Sequence, residues 1–226
     1  MTTVVAIYTG QGLAEPLKAV FNEAIPDCRL VNIIDDSLIA DVVSNRKVTT
    51  DVTRRLLRYY EIAAEMGADV ILNTCSSVGE VVALGRQVVD VPIVRIDEPM
   101  AVEAVTRYER IGVIATLPST LQPTLRLLRE QAAQAGRAVT LIEGLAAGAY
   151  TALVNGSPEQ HDHLILETAM QLKPQVECLV LAQGSMARME RQLAEATGLP
   201  VLSSPRLGVE EVKRVLAGNE SAFLSE

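Results

Sequence analysis

Short runs rich in valine, isoleucine and leucine recur along the chain, separated by longer stretches in which apolar residues return every three or four positions. The runs are TVVAIYT (3–9), CRLVNII (28–34), DVILNTC (69–75), PIVRI (92–96), RIGVIAT (110–116), AVTLIEG (138–144), ECLVLA (177–182) and PVLSS (200–204). Most are apolar throughout, the mark of parallel strands buried on both faces. Between them, TDVTRRLLRYYEIAAEMG (50–67) and TLQPTLRLLREQAAQAG (120–136) carry the helical period, the second closing on a glycine. Alternating strands and helices predict an α/β protein with parallel sheets and helices on both faces.

The pattern also repeats. ADVILNTCSSVGEVV and VECLVLAQGSMARME are each an apolar strand, a polar turn of small residues and a helix. Laying Cys75 over Gln183 sets the two turns nearly half the chain apart, and TVVAIYTGQG lies over RIGVIATLPS in the same way. Two pseudo-symmetric lobes follow, residues 1–97 plus 206–226 and residues 98–205, with the active site expected in the cleft between them. The terminal RLGVEEVKRVLAG is expected to cross back onto the first lobe.

Composition narrows the function. The 226 residues are 49% hydrophobic, enough for a substantial core, and no apolar run reaches the roughly 18 residues of a membrane span. MTTVVAIYTG lacks a basic leader and reads as a first strand. A net charge of −8, 3% aromatic residues and no tryptophan argue against nucleic-acid binding but leave an anionic small molecule open. Three cysteines without an export signal point to reduced thiols in the cytoplasm. His161 and His163, in the first turn of a helix, point in different directions, so no metal is expected there and a solvated helix face is the better reading.

Ligands of open α/β sheets bind beyond the carboxyl ends of strands, so the loops there are the candidates. Thr9-Gly10-Gln11-Gly12 is half of a dinucleotide fingerprint and reads better as a tight turn near a small anion. Cys75 stands at a strand end and a helix start, flanked by Asn73, Thr74, Ser76 and Ser77. Unpaired N–H groups at a helix start stabilise a thiolate and bind carboxylates, which marks Cys75 as the functional thiol. Cys178, inside a strand, and Cys28, at a strand start, read as structural. Thr116, Ser119 and Thr120 form either helix caps or a carboxylate cradle. Asp97 and Glu98 are caps ahead of Pro99 or general bases, the structural reading being the stronger.

ILNTCSSVG, PIVRIDEP, IGVIATLPST and LVLAQGSMA, in that order and spacing, resemble the aspartate/glutamate/hydantoin racemase superfamily over nearly the whole chain. The resemblance implies two α/β lobes and catalysis without pyridoxal phosphate, metal or other cofactor. It also implies two cysteines, one per lobe, that exchange protons on opposite faces of a carbon next to a carboxylate. The first falls on Cys75. At the second, this sequence reads Gln183-Gly184-Ser185. Glutamine exchanges no proton at neutral pH, and an unassisted serine is a poor acid or base.

The expected function is therefore a cofactor-independent racemase or epimerase of a small carboxylate, an amino acid, hydantoin or related acid, acting through Cys75. Thr9, Gly10, Asn73, Thr74, Ser76, Ser77, Thr116, Ser119, Thr120, Gln183, Gly184 and Ser185 are the expected substrate-binding set. A single-cysteine decarboxylase, isomerase or lyase of the same superfamily is the alternative, and a catalytically inert carboxylate-binding protein the third reading. The resemblance implies a homo-oligomer.

Overall fold

A computed structural model describes residues 2–223. Strands and helices alternate as β1 (Thr3–Tyr8), α1 (Ala14–Ala24), β2 (Arg29–Ile34), α2 (Ser37–Asn45), α3 (Thr50–Glu65), β3 (Val70–Asn73), α4 (Val82–Gly85) and β4 (Ile93–Arg95). The order continues with α5 (Glu98–Arg107), β5 (Arg110–Ala115), α6 (Pro118–Gln134), β6 (Thr140–Leu145), α7 (Ala149–Val154) and α8 (Pro158–Leu172). It closes with β7 (Cys178–Leu181), α9 (Glu190–Thr197), β8 (Val201–Ser203) and α10 (Ser204–Phe223). Two compact units result: one holds the chain up to Ile96 and again from Pro205, the other runs from Asp97 to Ser204.

Each unit is built on a four-stranded parallel sheet, ordered β2-β1-β3-β4 in the first and β6-β5-β7-β8 in the second. The repeat is close in detail. Val70 and Cys178, Ser76 and Gly184, and Ile93 and Val201 begin equivalent elements, each pair 108 positions apart.

Both faces of the first sheet are covered, and the alternation of side chains along a strand divides them. Val5, Ile7 and Ile71 pack against Leu38 and Val42 of α2 and Leu56 and Tyr60 of α3. Val4, Ala6, Val70 and Leu72 pack against Leu17 and Phe21 of α1 and Val209, Val212 and Leu216 of α10. In the second unit Ile114, Leu179 and Leu181 pack against Ile165, Ala169 and Leu172 of α8 and Leu193 of α9. There α5 and α6 lie side by side, α5 beside β7 and β8, α6 beside β5 and β6.

Burial on both faces holds for the inner strands β1, β3, β5 and β7, but β2 and β6 are partly exposed. Both are edge strands, with a neighbour on one side only. Among the described residues no helix is long and apolar enough to cross a membrane.

The return of α10 to the first unit depends on one close approach. A β-carbon at Gly208 would lie 2.6 Å from Ile96 Cγ1 and 2.9 Å from the Ile96 carbonyl oxygen. The backbone oxygen cannot swing aside, so Gly208→Ala is expected to destabilise the protein by about 1–3 kcal/mol through overpacking. Denaturant unfolding would measure this, and an unchanged midpoint would refute the tight packing of α10.

Candidate active site

At the carboxyl end of the first sheet, β1 runs into Thr9 and Gly10, and its neighbour β3 runs into Asn73, Thr74 and Cys75. Thr74 ties the two ends together: its N–H and its Oγ1 both donate to the Ile7 carbonyl, at 3.1 and 2.9 Å. Thr9, Thr74, Ser76 and Ser77 are buried, and Cys75 is half-buried. Gly10 is extended, with φ −172°, and the space at Gly12 is open. The loop therefore shows no need for glycine of the kind a dinucleotide fingerprint has.

Cys75 does not open a long α-helix. It caps a 3₁₀ turn, Ser76–Val81, which passes into the four residues of α4. The dipole available to its thiol is therefore that of a short turn, smaller than the sequence led one to expect. Local hydrogen bonds hold the thiol's backbone instead. The Cys75 N–H donates to Asn73 Oδ1 at 3.2 Å, and Asn73 Nδ2 donates to the Tyr60 hydroxyl at 2.7 Å. The amide of Cys75 can only donate, so the oxygen of the Asn73 carboxamide must face it and the nitrogen must face Tyr60. Asn73 is 1% exposed and Tyr60 0%, so this chain lies beneath the loop. Burial, then the nearby Cys75 charge, raises the Tyr60 phenol above its ordinary value, which keeps it neutral.

The second unit repeats the arrangement with different chemistry. Gln183 caps the 3₁₀ turn Gly184–Met189 with φ −126° and ψ 132°, against −123° and 115° for Cys75. Gln183 Oε1 accepts from the Thr116 N–H at 2.7 Å and from Thr116 Oγ1 at 2.9 Å, joining the loops after β7 and β5. The backbone donor again fixes the amide, leaving the Nε2 donors pointing away from Thr116. Ser119 and Thr120 lie in the first turn of α6, where the Ser119 Oγ is buried without a hydrogen-bond partner. Ser185 is exposed and Gly184 half-buried.

Cys178 lies in β7, where burial pushes its thiol up to about 12, and burial also raises Cys28. Neither thiol is a proton carrier near neutral pH. Asp97, wholly buried, stands at the start of α5, where its carbonyl accepts from the Ala101 N–H at 3.1 Å and its side chain makes no cap hydrogen bond, and Glu98 is the first residue of α5. Among the described residues no cluster of three His, Cys, Asp or Glu side chains could hold a metal.

His161 departs from expectation, for it is 1% exposed rather than solvated. Its Nδ1 donates to Asp162 Oδ1 at 2.7 Å, and Arg188 grips the same carboxylate, its Nη1 2.6 Å from Oδ2. Arg188 belongs to the 3₁₀ turn after Gln183, so this cluster pins the turn to the start of α8. Tyr60 and Arg95 also escaped the sequence reading. The visible signal for Arg95 was a charge inside the apolar run PIVRI; Tyr60 gave none beyond its place on the apolar stripe of a helix.

A model of the family described as Asp/Glu/Hydantoin racemase matches residues 4–212. Among solved structures, allantoin racemase from Klebsiella pneumoniae superposes with a TM-score of 0.73 at 17% identity, covering 97% of this chain and 89% of that one. Glutamate racemase from Francisella tularensis, solved in complex with D-glutamate, gives 0.76 at 12% identity, over 97% and 82%. Aspartate racemase from Picrophilus torridus gives 0.72 at 12% identity, over 96% and 95%. No curated protein matches the sequence.

The cluster at Asp162 makes a pH-dependent contribution that can be checked. Burial acts to raise this carboxyl, but hydrogen bonds from Arg188 and His161 outweigh it and hold it below its ordinary range. A depressed native value stabilises the fold at pH above the unfolded-state value of about 4, and the contribution is lost as pH falls through the folded value. The stability difference between wild type and Asp162→Asn should be about 1 kcal/mol at pH 6–8. It should vanish in acid, and a difference that persists there would count against the ion pair.

Proposed function

The chain belongs to the Asp/Glu/hydantoin racemase family, and we propose that Cys75 is its proton carrier, at a carbon next to the substrate's carboxylate. Membership supports a cofactor-independent isomerase acting on a small carboxylate through cysteine chemistry. In the proposed step the Cys75 thiolate takes the α-proton, the electron pair passes into the carboxylate as an enediolate, and a second acid group, which Gln183 cannot be, returns a proton to the opposite face of the carbon. The Ser76 and Ser77 loop supplies donors for the charge that develops, the kind of stabilisation that carries most of such a barrier.

One observation carries the reading. Cys75 and Gln183 occupy the same backbone place in the two units, as caps of matching 3₁₀ turns, and one of the two can carry a proton while the other cannot. Gln183 then serves as a hydrogen-bond donor through Nε2, together with the Ser119 hydroxyl, while both donors of Thr116 are spent on holding Gln183 Oε1. Racemisation or epimerisation is the proposed reaction. The carboxamide at 183 also favours a second reading, a single-thiol decarboxylase or isomerase in which Cys75 alone delivers the proton. The scarcity of aromatic residues favours a small aliphatic acid, and three cysteines outside disulfides fit a reducing cytoplasm.

The test is proton NMR in D₂O with amino acids, 2-hydroxy acids, hydantoins and substituted malonates. Deuterium entering the α-position with loss of optical purity would establish racemisation, and loss of a carboxyl group with one-faced labelling would establish the decarboxylase. Cys75→Ala should abolish either activity. Turnover that survives in Cys75→Ala would sink the proposal.

A further inference from the structure

The segment after Cys75 is notched twice by glycines. A β-carbon at Gly79 would fall 2.3 Å from Arg95 Nε, 2.5 Å from Cζ and 2.7 Å from Nη2, so the guanidinium lies directly against the Gly79 α-carbon. A β-carbon at Gly85 would fall 2.6 Å from Tyr60 Cδ2. Cys75 and Gly79 belong to one short turn, in which the Val78 N–H donates to the Cys75 carbonyl at 3.3 Å. Arg95, 8% exposed, pairs in register with Asn73 across the β3–β4 ladder. Residues in register share a face of the sheet, so its side chain lies on the Asn73–Tyr60 side, beneath the turn that Cys75 opens.

Titratable groups come to this turn from several elements. Tyr60 comes from α3, Arg95 from β4, and Glu80, exposed, from the turn itself. Arg86, past α4, is exposed and donates from Nε to the Ile93 carbonyl at 3.0 Å. At the end of β2, Asp35 is engaged by Arg55 and by the Tyr59 hydroxyl at 2.8 Å. The Tyr60 phenol responds to Cys75, Arg95 and Arg86 alike, so these groups share one neighbourhood. Arg95 is the cation among them that is buried, where water and salt screen its field least.

The geometry points to Arg95 as a positioning residue that holds Cys75 in its thiolate form, with Gly79 as the notch that admits its guanidinium. This rests on the reading of Cys75 as the proton carrier and names what keeps it ready to accept a proton. Arg95 acts through the thiol and needs no contact with substrate.

Gly79→Ala offers an unusual probe, because the added methyl meets only the far end of a flexible side chain. It displaces the cation without removing it. Carboxymethylation of the full chain by iodoacetamide would be followed against pH, with mass mapping of the Cys75 peptide to separate it from Cys28 and Cys178. The midpoint for Cys75 is expected to rise by about one unit or more in both Gly79→Ala and Arg95→Met, the size of effect an adjacent cation produces. Arg95→Lys should recover most of the shift. Circular dichroism would verify folding, and if Arg95→Met does not fold, Gly79→Ala decides alone. A Gly79→Ala profile that overlies the wild type, or an Arg95→Lys shift as large as that of Arg95→Met, would overturn the inference. A shifted profile in a protein that turns over no acid in the NMR panel would uphold it and sink the proposed function. Cys75-dependent turnover with an unshifted profile would do the reverse.

Discussion

A parallel sheet buried on both faces leaves backbone donors and acceptors exposed where its strands stop, and each must find a partner there. In the first unit the N–H of Cys75 finds Asn73 Oδ1; in the second the N–H of Thr116 finds Gln183 Oε1. Each carboxamide is oriented by a backbone amide that can only donate. Asn73 turns its nitrogen to Tyr60, and Gln183 turns its nitrogen away from Thr116.

The same constraint separates two of the thiols. Cys178 sits wholly buried in a strand, where its proton is held tightly. Cys75 stands two residues beyond its strand, half-buried, on a short turn over a buried phenol and a buried guanidinium. Cys178 aligns with Val70, so the two thiols stand five positions apart along the repeat, one inside its strand and the other in the loop beyond.

Much of this was legible beforehand, and the reasons are physical. The runs at 70–72 and 178–181 are apolar without interruption because their strands are enclosed on both sides. The same enclosure puts the small polar residues after them in view as loops. The choice between an α-helix and a 3₁₀ turn after Cys75 was not legible. SSVGEVV satisfies a helical period, and the side chains packed against its glycine and the next, Arg95 and Tyr60, arrive from other elements of the chain. His161 was misread for a related reason. Its neighbour Asp162 makes the segment look solvated, whereas Arg188, 26 residues beyond Asp162, completes an ion pair that lets the imidazole go under. Local patterns record the strands well and record poorly those side chains whose partners lie far along the sequence.

The excursion of α10 has a consequence for biosynthesis. The second unit is continuous from Asp97 to Ser204, whereas one face of the first sheet is closed by Val209, Val212 and Leu216. During translation the sheet made first must wait, its β1 and β3 side chains covered on that face by α1 alone, while the later-made unit can complete itself. At ribosomal rates the interval between emergence of Ser204 and of α10 is on the order of one to a few seconds, and the earlier-synthesised half of the molecule is the one that matures last.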